Sequence, residues 1–160
     1  IAIACKPRLL IADEPTTALD VTVQRQVLDL VAVEAEQLGM ATLLITHNLG
    51  VATQYADRVV VMYGGRLVEE LPAAGLVEQN QHPYTRALLR SVPRVNDRFE
   101  RLETIGGRPP DLRELPKGCR FAPRCPSAFE RCLVEDPQAV PVALGHTVAC
   151  HLVTEPAGAH

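Results

Sequence analysis

Hydrophobic positions in this chain fall into short unbroken runs, one helical stripe and one pair of runs split by glycines. Leu9, Leu10, Ile11 and Ala12 form a run too short for a helix, bounded by Arg8 and by the carboxylates Asp13 and Glu14; this predicts a strand buried on both faces. Ala41, Thr42, Leu43, Leu44, Ile45 and Thr46 predict a second buried strand, ending at His47. Between them Val23, Val27, Leu30, Val31 and Leu38 recur at helical spacing, with Gln24, Arg25, Glu34 and Gln37 largely opposite. Asp20 is placed to cap that helix and Gly39 to close it.

Further on, residues 48–56 predict a short helix, and residues 58–63 and 66–70 a hairpin about Gly64 and Gly65, which supply the positive φ angles of a two-residue connection. Residues 74–79 predict another helix, and residues 84–91 a last one, with Pro83 at its start and Pro93 past its end. Residues 1–6 read as a helix tail stopped at Pro7. Strand, helix, strand with ligand-type residues at the strand ends is the grammar of a parallel α/β sheet. After Pro93 the periodicity lapses, and Gly106, Gly107, Pro109 and Pro110 mark a linker. The expected organisation is an α/β unit over residues 1–92, a linker over 93–118 and an irregular Cys-rich module over 119–160. That module is too short for an apolar core of its own and is expected to need a staple.

Composition adds limits. Of the 160 residues 47% are apolar and 22% charged, a globular balance, and the net charge of -3 gives no reason to expect nucleic acid. No apolar run approaches the roughly 20 residues of a membrane span and no signal peptide opens the chain, so the expectation is a soluble, unexported protein that reaches a membrane only through a partner. The chain opens on Ile1, one step before a buried strand, and reads as a fragment whose N-terminal part is missing. Cys5 stands alone and reads as a small buried apolar residue. Cys119, Cys125, Cys132 and Cys150 lie in the last 42 residues, where a metal or cluster is a better default than disulfides.

Asp13 and Glu14 would sit at the C-terminal end of their strand, the edge where ligands bind in open α/β sheets. Adjacent carboxylates repel, and Mg²⁺ would relieve that repulsion. A solvated acidic turn is the plainer alternative. The run Leu9-Leu10-Ile11-Ala12-Asp13-Glu14-Pro15, followed by Ala18-Leu19-Asp20 and by a histidine at the end of the next strand, resembles the C-terminal half of an ATP-binding cassette (ABC) ATPase, a P-loop fold with a parallel sheet, helices and a β-hairpin. The resemblance implies roles. Asp13 matches the Walker B carboxylate that holds Mg²⁺ through its water shell, and Glu14 the catalytic glutamate that polarises the water attacking the γ-phosphate of ATP. His47 matches the switch histidine, and Asp20 belongs to the loop that crosses to a second ATPase subunit. The phosphate loop and the Leu-Ser-Gly-Gly-Gln signature are absent, so this chain alone is expected neither to bind ATP tightly nor to hydrolyse it.

Asn80-Gln81-His82-Pro83-Tyr84-Thr85 resembles a segment of the ATPase subunits of oligopeptide, dipeptide and nickel importers. That implies ATP-driven uptake of peptides, with nickel as the alternative cargo. The implied partners are a second ATPase subunit, permease subunits and, indirectly, an extracytoplasmic binding protein, at the cytoplasmic face of the membrane. A reading from another class makes the chain a non-enzymatic metal- or cluster-binding module. The C-x5-C-x6-C-x17-C spacing of Cys119, Cys125, Cys132 and Cys150 resembles the cysteine region of the same importers. Its gaps are too wide for paired zinc ligands and suit a 4Fe–4S cluster better, with Lys117, Arg120, Arg124 and Arg131 offsetting the negative charge. Zinc, with His146 or His151 as substitute ligand, is the alternative; disulfides or free thiols remain.

Overall fold

The run at Leu9–Asp13 forms strand β1 and the run at Ala41–Ile45 forms β2, paired in parallel with Leu10 opposite Thr42 and Asp13 opposite Ile45. The structure, a computed structural model, describes residues 2–92 and 104–154. Its contacts divide into two units, Ile1–Ala56 and Asp57–His160.

In the first unit helix α1, Val21–Leu38, connects the two parallel strands. Asp20 caps it, accepting from the N–H groups of Thr22 and Val23 at 3.0 Å each, and Gly39 ends it at φ 61°. The less exposed stripe is Gln24, Val27, Leu28, Val31, Glu34, Ala35 and Leu38. Val23 and Leu30, expected on that stripe, are exposed, and Gln24 and Glu34, expected opposite, lie on it. The helix is rotated so that Leu28, the one α1 residue that is fully sequestered, faces inward, and the stems of Gln24 and Glu34 share its side. Helix α2, Leu49–Tyr55, follows β2 and is capped by Asn48.

The strands were expected to be buried on both faces and are not. Ile11 is 61% exposed and Leu43 50%, because this unit offers two strands, one long helix and one short one as mutual cover. The expected helix tail at the start is a single 3₁₀ turn, Ala2–Cys5, and Cys5 is exposed rather than buried.

The second unit begins with strands β3, Arg58–Tyr63, and β4, Arg66–Pro72, joined at Gly64 and Gly65 with φ 54° and 77°. Val59, Val61 and Tyr63 of β3 are buried in alternation. The sheet continues into the Cys-rich region: β6, His146–Val148, pairs antiparallel with β4, and β5, Val140–Ala143, closes the order β3-β4-β6-β5. The module read as lacking a core therefore shares one with the hairpin. Leu71, Leu76, Phe121 and Val148 are its fully buried apolar residues. The ring of Tyr63 lies 4.5 Å from Tyr84 and 5.1 Å from Phe121. This grouping of contacts differs from the three-part division by texture at residues 92 and 118, because strand pairing joins segments that composition separates.

Helix α3, Pro83–Arg90, is present, while the helix expected over residues 74–79 is a 3₁₀ turn, Ala73–Gly75. Gly75 weakens any longer helix there. Part of the expected linker, residues 93–103, lies outside the described residues. Its remainder is irregular and is held by Arg124, which donates to the carbonyls of Ile105 and Gly106 at 2.8 and 2.7 Å. Helix α4, Glu130–Val134, carries Cys132. No described helix is long and apolar enough to cross a membrane.

Candidate functional site

Strand β1 ends at Asp13, but the Glu14 N–H still donates to the Ile45 carbonyl at 2.9 Å. Glu14 then turns to φ 43°, a conformation that costs a non-glycine residue of order 1–3 kcal/mol. The turn delivers its carboxylate to two donors. His47 Nδ1 lies 2.9 Å from Oε1, and Thr17 Oγ1 donates to Oε2 at 2.9 Å. The His47 hydrogen bond, then that of Thr17, holds the Glu14 carboxyl below its ordinary value. His47 is 80% exposed and Glu14 44%, so the pair is open to solvent. With Nδ1–H donating to the carboxylate, imidazole Nε2 is left facing outward as an acceptor.

His47 is fixed at the joint between β2 and α2, because Asn48 donates to Thr46 Oγ1 at 3.0 Å and its side chain caps α2. The structure thus brings Glu14 and His47 together beside Asp13, at the carboxyl edge of both strands. Asp20 stands apart from them, its carboxylate engaged with the start of α1. Thr17 was not singled out from sequence; its place three residues after Glu14 within the turn was the available signal. An ionised, oriented, solvent-open carboxylate can align a water and take its proton, and Asp13 beside it offers oxygens to a hard cation.

A second constellation lies in the other unit. Cys119, Cys125, Cys132 and Cys150 are free thiols and line one small cavity with His82 and His151. The Cys119 N–H donates to the Cys132 carbonyl at 2.9 Å, which ties the first thiol's turn to α4. The Ala149 N–H donates to the Val68 carbonyl at 2.9 Å, which sets Cys150 just past the ladder of β6. Burial raises the thiols of Cys119 and Cys125, and that of Cys150 to about 11, with the neighbouring cysteines adding to the shift. Burial of this kind favours the neutral form of these three thiols. Among the described residues no group of three or more His, Cys, Asp or Glu side chains stands placed to hold a metal ion as it is.

Sequence assigned other residues here that the fold uses differently. His146 Nε2 donates to the buried Glu69 carboxylate at 2.9 Å, and His151 Nε2 lies 3.0 Å from the Glu135 carbonyl. Arg120 donates to the Gly64 carbonyl, Arg124 to Tyr63 and to the chain at residues 105 and 106, and Arg131 to the Glu135 carboxylate. Arg120 and Arg124 tether loops, and Arg131 pairs along α4 with Glu135 at its end. His82 was read only as a family marker, yet it is 1% exposed and stands on the cavity wall. Its Nδ1 accepts the Tyr84 N–H at 3.0 Å, its own N–H donates to Glu69 at 3.2 Å, and burial pushes its imidazole down to about 4.

Residues 68–132 match the family described as the C-terminal region of oligopeptide/dipeptide transporters. An oligopeptide transport ATP-binding protein, AppD of Bacillus subtilis, is 48% identical over 155 residues, which is 97% of this chain and 47% of that protein. Over nearly all of its length the chain is similar to peptide-transporter ATP-binding proteins. A putative peptide import ATP-binding protein of Brucella melitensis is 50% identical over 94% of this chain and 46% of its own length. The oligopeptide transport ATP-binding protein OppD of Mycobacterium bovis is 50% identical over 94% of the chain and 25% of its own length. The chain therefore spans about half the length, or less, of the curated relatives it matches. Within the peptide-transporter family match lie His82, Pro83 and Tyr84 and three of the four clustered cysteines.

Proposed function

We propose that this chain carries the hydrolytic carboxylate of an ABC ATPase subunit that drives peptide uptake across a membrane. The observation that carries the proposal is the Glu14–His47 hydrogen bond at the carboxyl edge of β1 and β2. In this reading Glu14 orients the water that attacks the γ-phosphate of ATP and takes its proton, while His47 holds the carboxylate ionised and offers its outward nitrogen to the phosphate. Asp13 would hold Mg²⁺, which supplies charge neutralisation at the phosphates when bound. Asp20, besides capping α1, would face a second ATPase subunit, and permease subunits would hold the assembly at the membrane.

The test uses a full-length subunit containing these residues. Glu14→Gln is expected to cut ATP turnover by at least about 100-fold while nucleotide binding stays intact. Unchanged turnover would remove Glu14 from the role of general base.

The four thiols support a second element of the same reading, a structural 4Fe–4S cluster with one cysteine per iron. The donor set fits in number and chemistry: four thiols from three separate pieces of backbone meet at one cavity. When bound, such a cluster ties the turn at residues 119–125, α4 and the end of β6 to one another. Anaerobically purified protein is expected to be brown and to contain iron and sulfide; a colourless protein with stoichiometric zinc would overturn the cluster.

A further inference from the structure

His82 has two ring nitrogens with different fates. Nδ1 accepts the Tyr84 N–H at 3.0 Å as the cap of α3, so in the neutral ring the proton resides on Nε2. That Nε2–H is buried and has no hydrogen-bond partner. A buried unpaired donor is rare and calls for an acceptor. The ring lines the same cavity as Cys119, Cys125, Cys132 and Cys150, and its backbone N–H is fastened to Glu69, as is that of Gln81 at 2.6 Å. Ring and backbone are therefore locked, and the unused donor is the polar atom this side chain has left to offer the cavity.

We infer that His82 is a positioning residue whose Nε2–H donates a hydrogen bond to a sulfur of the group held by the four cysteines. The inference rests on the cluster reading above. Hydrogen bonds to sulfur stabilise the more negative, reduced state of an iron–sulfur centre and help set its potential. Among the described residues Thr85 Oγ1 is the other buried side-chain atom without a partner, but Thr85 does not line the cavity. His151 lines it, but its Nε2 is engaged with the Glu135 carbonyl.

The test compares the anaerobic full chain with His82→Asn, whose side-chain oxygen can keep the cap on α3 but offers no donor at the Nε2 position. Iron and sulfide content is expected to persist, and the reduction equilibrium to fall about tenfold, equivalent to about 59 mV for one electron. A purely structural role for His82 would leave the potential in place. In parallel, pulsed electron paramagnetic resonance of the reduced protein labelled with ¹⁵N-histidine is expected to show coupling to one ring nitrogen, retained in His151→Gln. Should His82→Asn fail to assemble, this spectrum decides: a reduced cluster with no coupled histidine nitrogen overturns the inference, as does an unchanged potential in an assembled variant. Wild-type protein without iron and sulfide overturns the cluster reading instead, and the acceptor with it.

Discussion

Glu69 is fully buried, and three donors converge on its carboxylate: the backbone N–H groups of Gln81 and His82 and the imidazole of His146. One side chain thereby joins β4, the segment before α3, and β6. Truncating one partner of a buried, hydrogen-bonded ionic set leaves the others stranded, at a cost of about 3–5 kcal/mol. Glu69→Ala is accordingly expected to lower the unfolding free energy of the second unit by about 3 kcal/mol in urea titrations followed by circular dichroism; a loss under about 1 kcal/mol would show that water replaces the carboxylate. None of this was legible in sequence. Strand alternation places Glu69 opposite Val68 on the sheet, which reads as a solvent face until β6 and residues 81 and 82 cover it. Glu14 and His47 were legible because each closes a short apolar run, so the pattern that predicts the strand also places the side chain.

The backbone of α4 packs tightly against Gly118, in the turn before it. A Cβ on Gly118 would lie 2.6 Å from the Leu133 carbonyl carbon and nearer still to the Cys132 oxygen, and backbone atoms cannot yield as a side-chain end can. Gly118→Ala is expected to force the turn off α4, to destabilise the unit by about 1–3 kcal/mol and to speed alkylation of Cys119 and Cys132 by a thiol reagent. Unchanged alkylation rates would show that the approach does not hold the thiols together. The requirement for glycine here had no signature in the sequence, since Gly118 sits in an irregular stretch between a lysine and a cysteine. The glycines of the hairpin did have one: they separate two apolar runs by the two residues that a tight connection needs.

Both units leave large apolar side chains exposed. The first presents Ile11, Val21, Leu30, Leu43 and Ile45 to solvent, apolar residues on β1, β2 and α1. Ile11 stands opposite Leu43 in the ladder, so the two form one exposed apolar step across both strands. The 160-residue chain is expected to enhance the fluorescence of a hydrophobic dye, and Ile11→Ser with Leu43→Ser to reduce it. A chain that leaves the dye dark would show that these faces are covered in solution. Sequence gave the α/β character of this unit but not its exposure, because a continuous apolar run reports what a strand can bury and not what is there to bury it. The second unit's membership was hidden for a related reason: β4 and β6 find each other across a long stretch of changing texture, and only their pairing reveals that the hairpin belongs with the cysteines.

That pairing also sets an order of assembly. The hairpin needs only local contacts, whereas Glu69 meets Val148 and His146 across more than seventy residues, so the ladder of β6 closes slowly and late. On a chain made from its N-terminus, Cys150 is the last of the four thiols to emerge and the last to be seated. Until then the other three stand in the fold without the fourth.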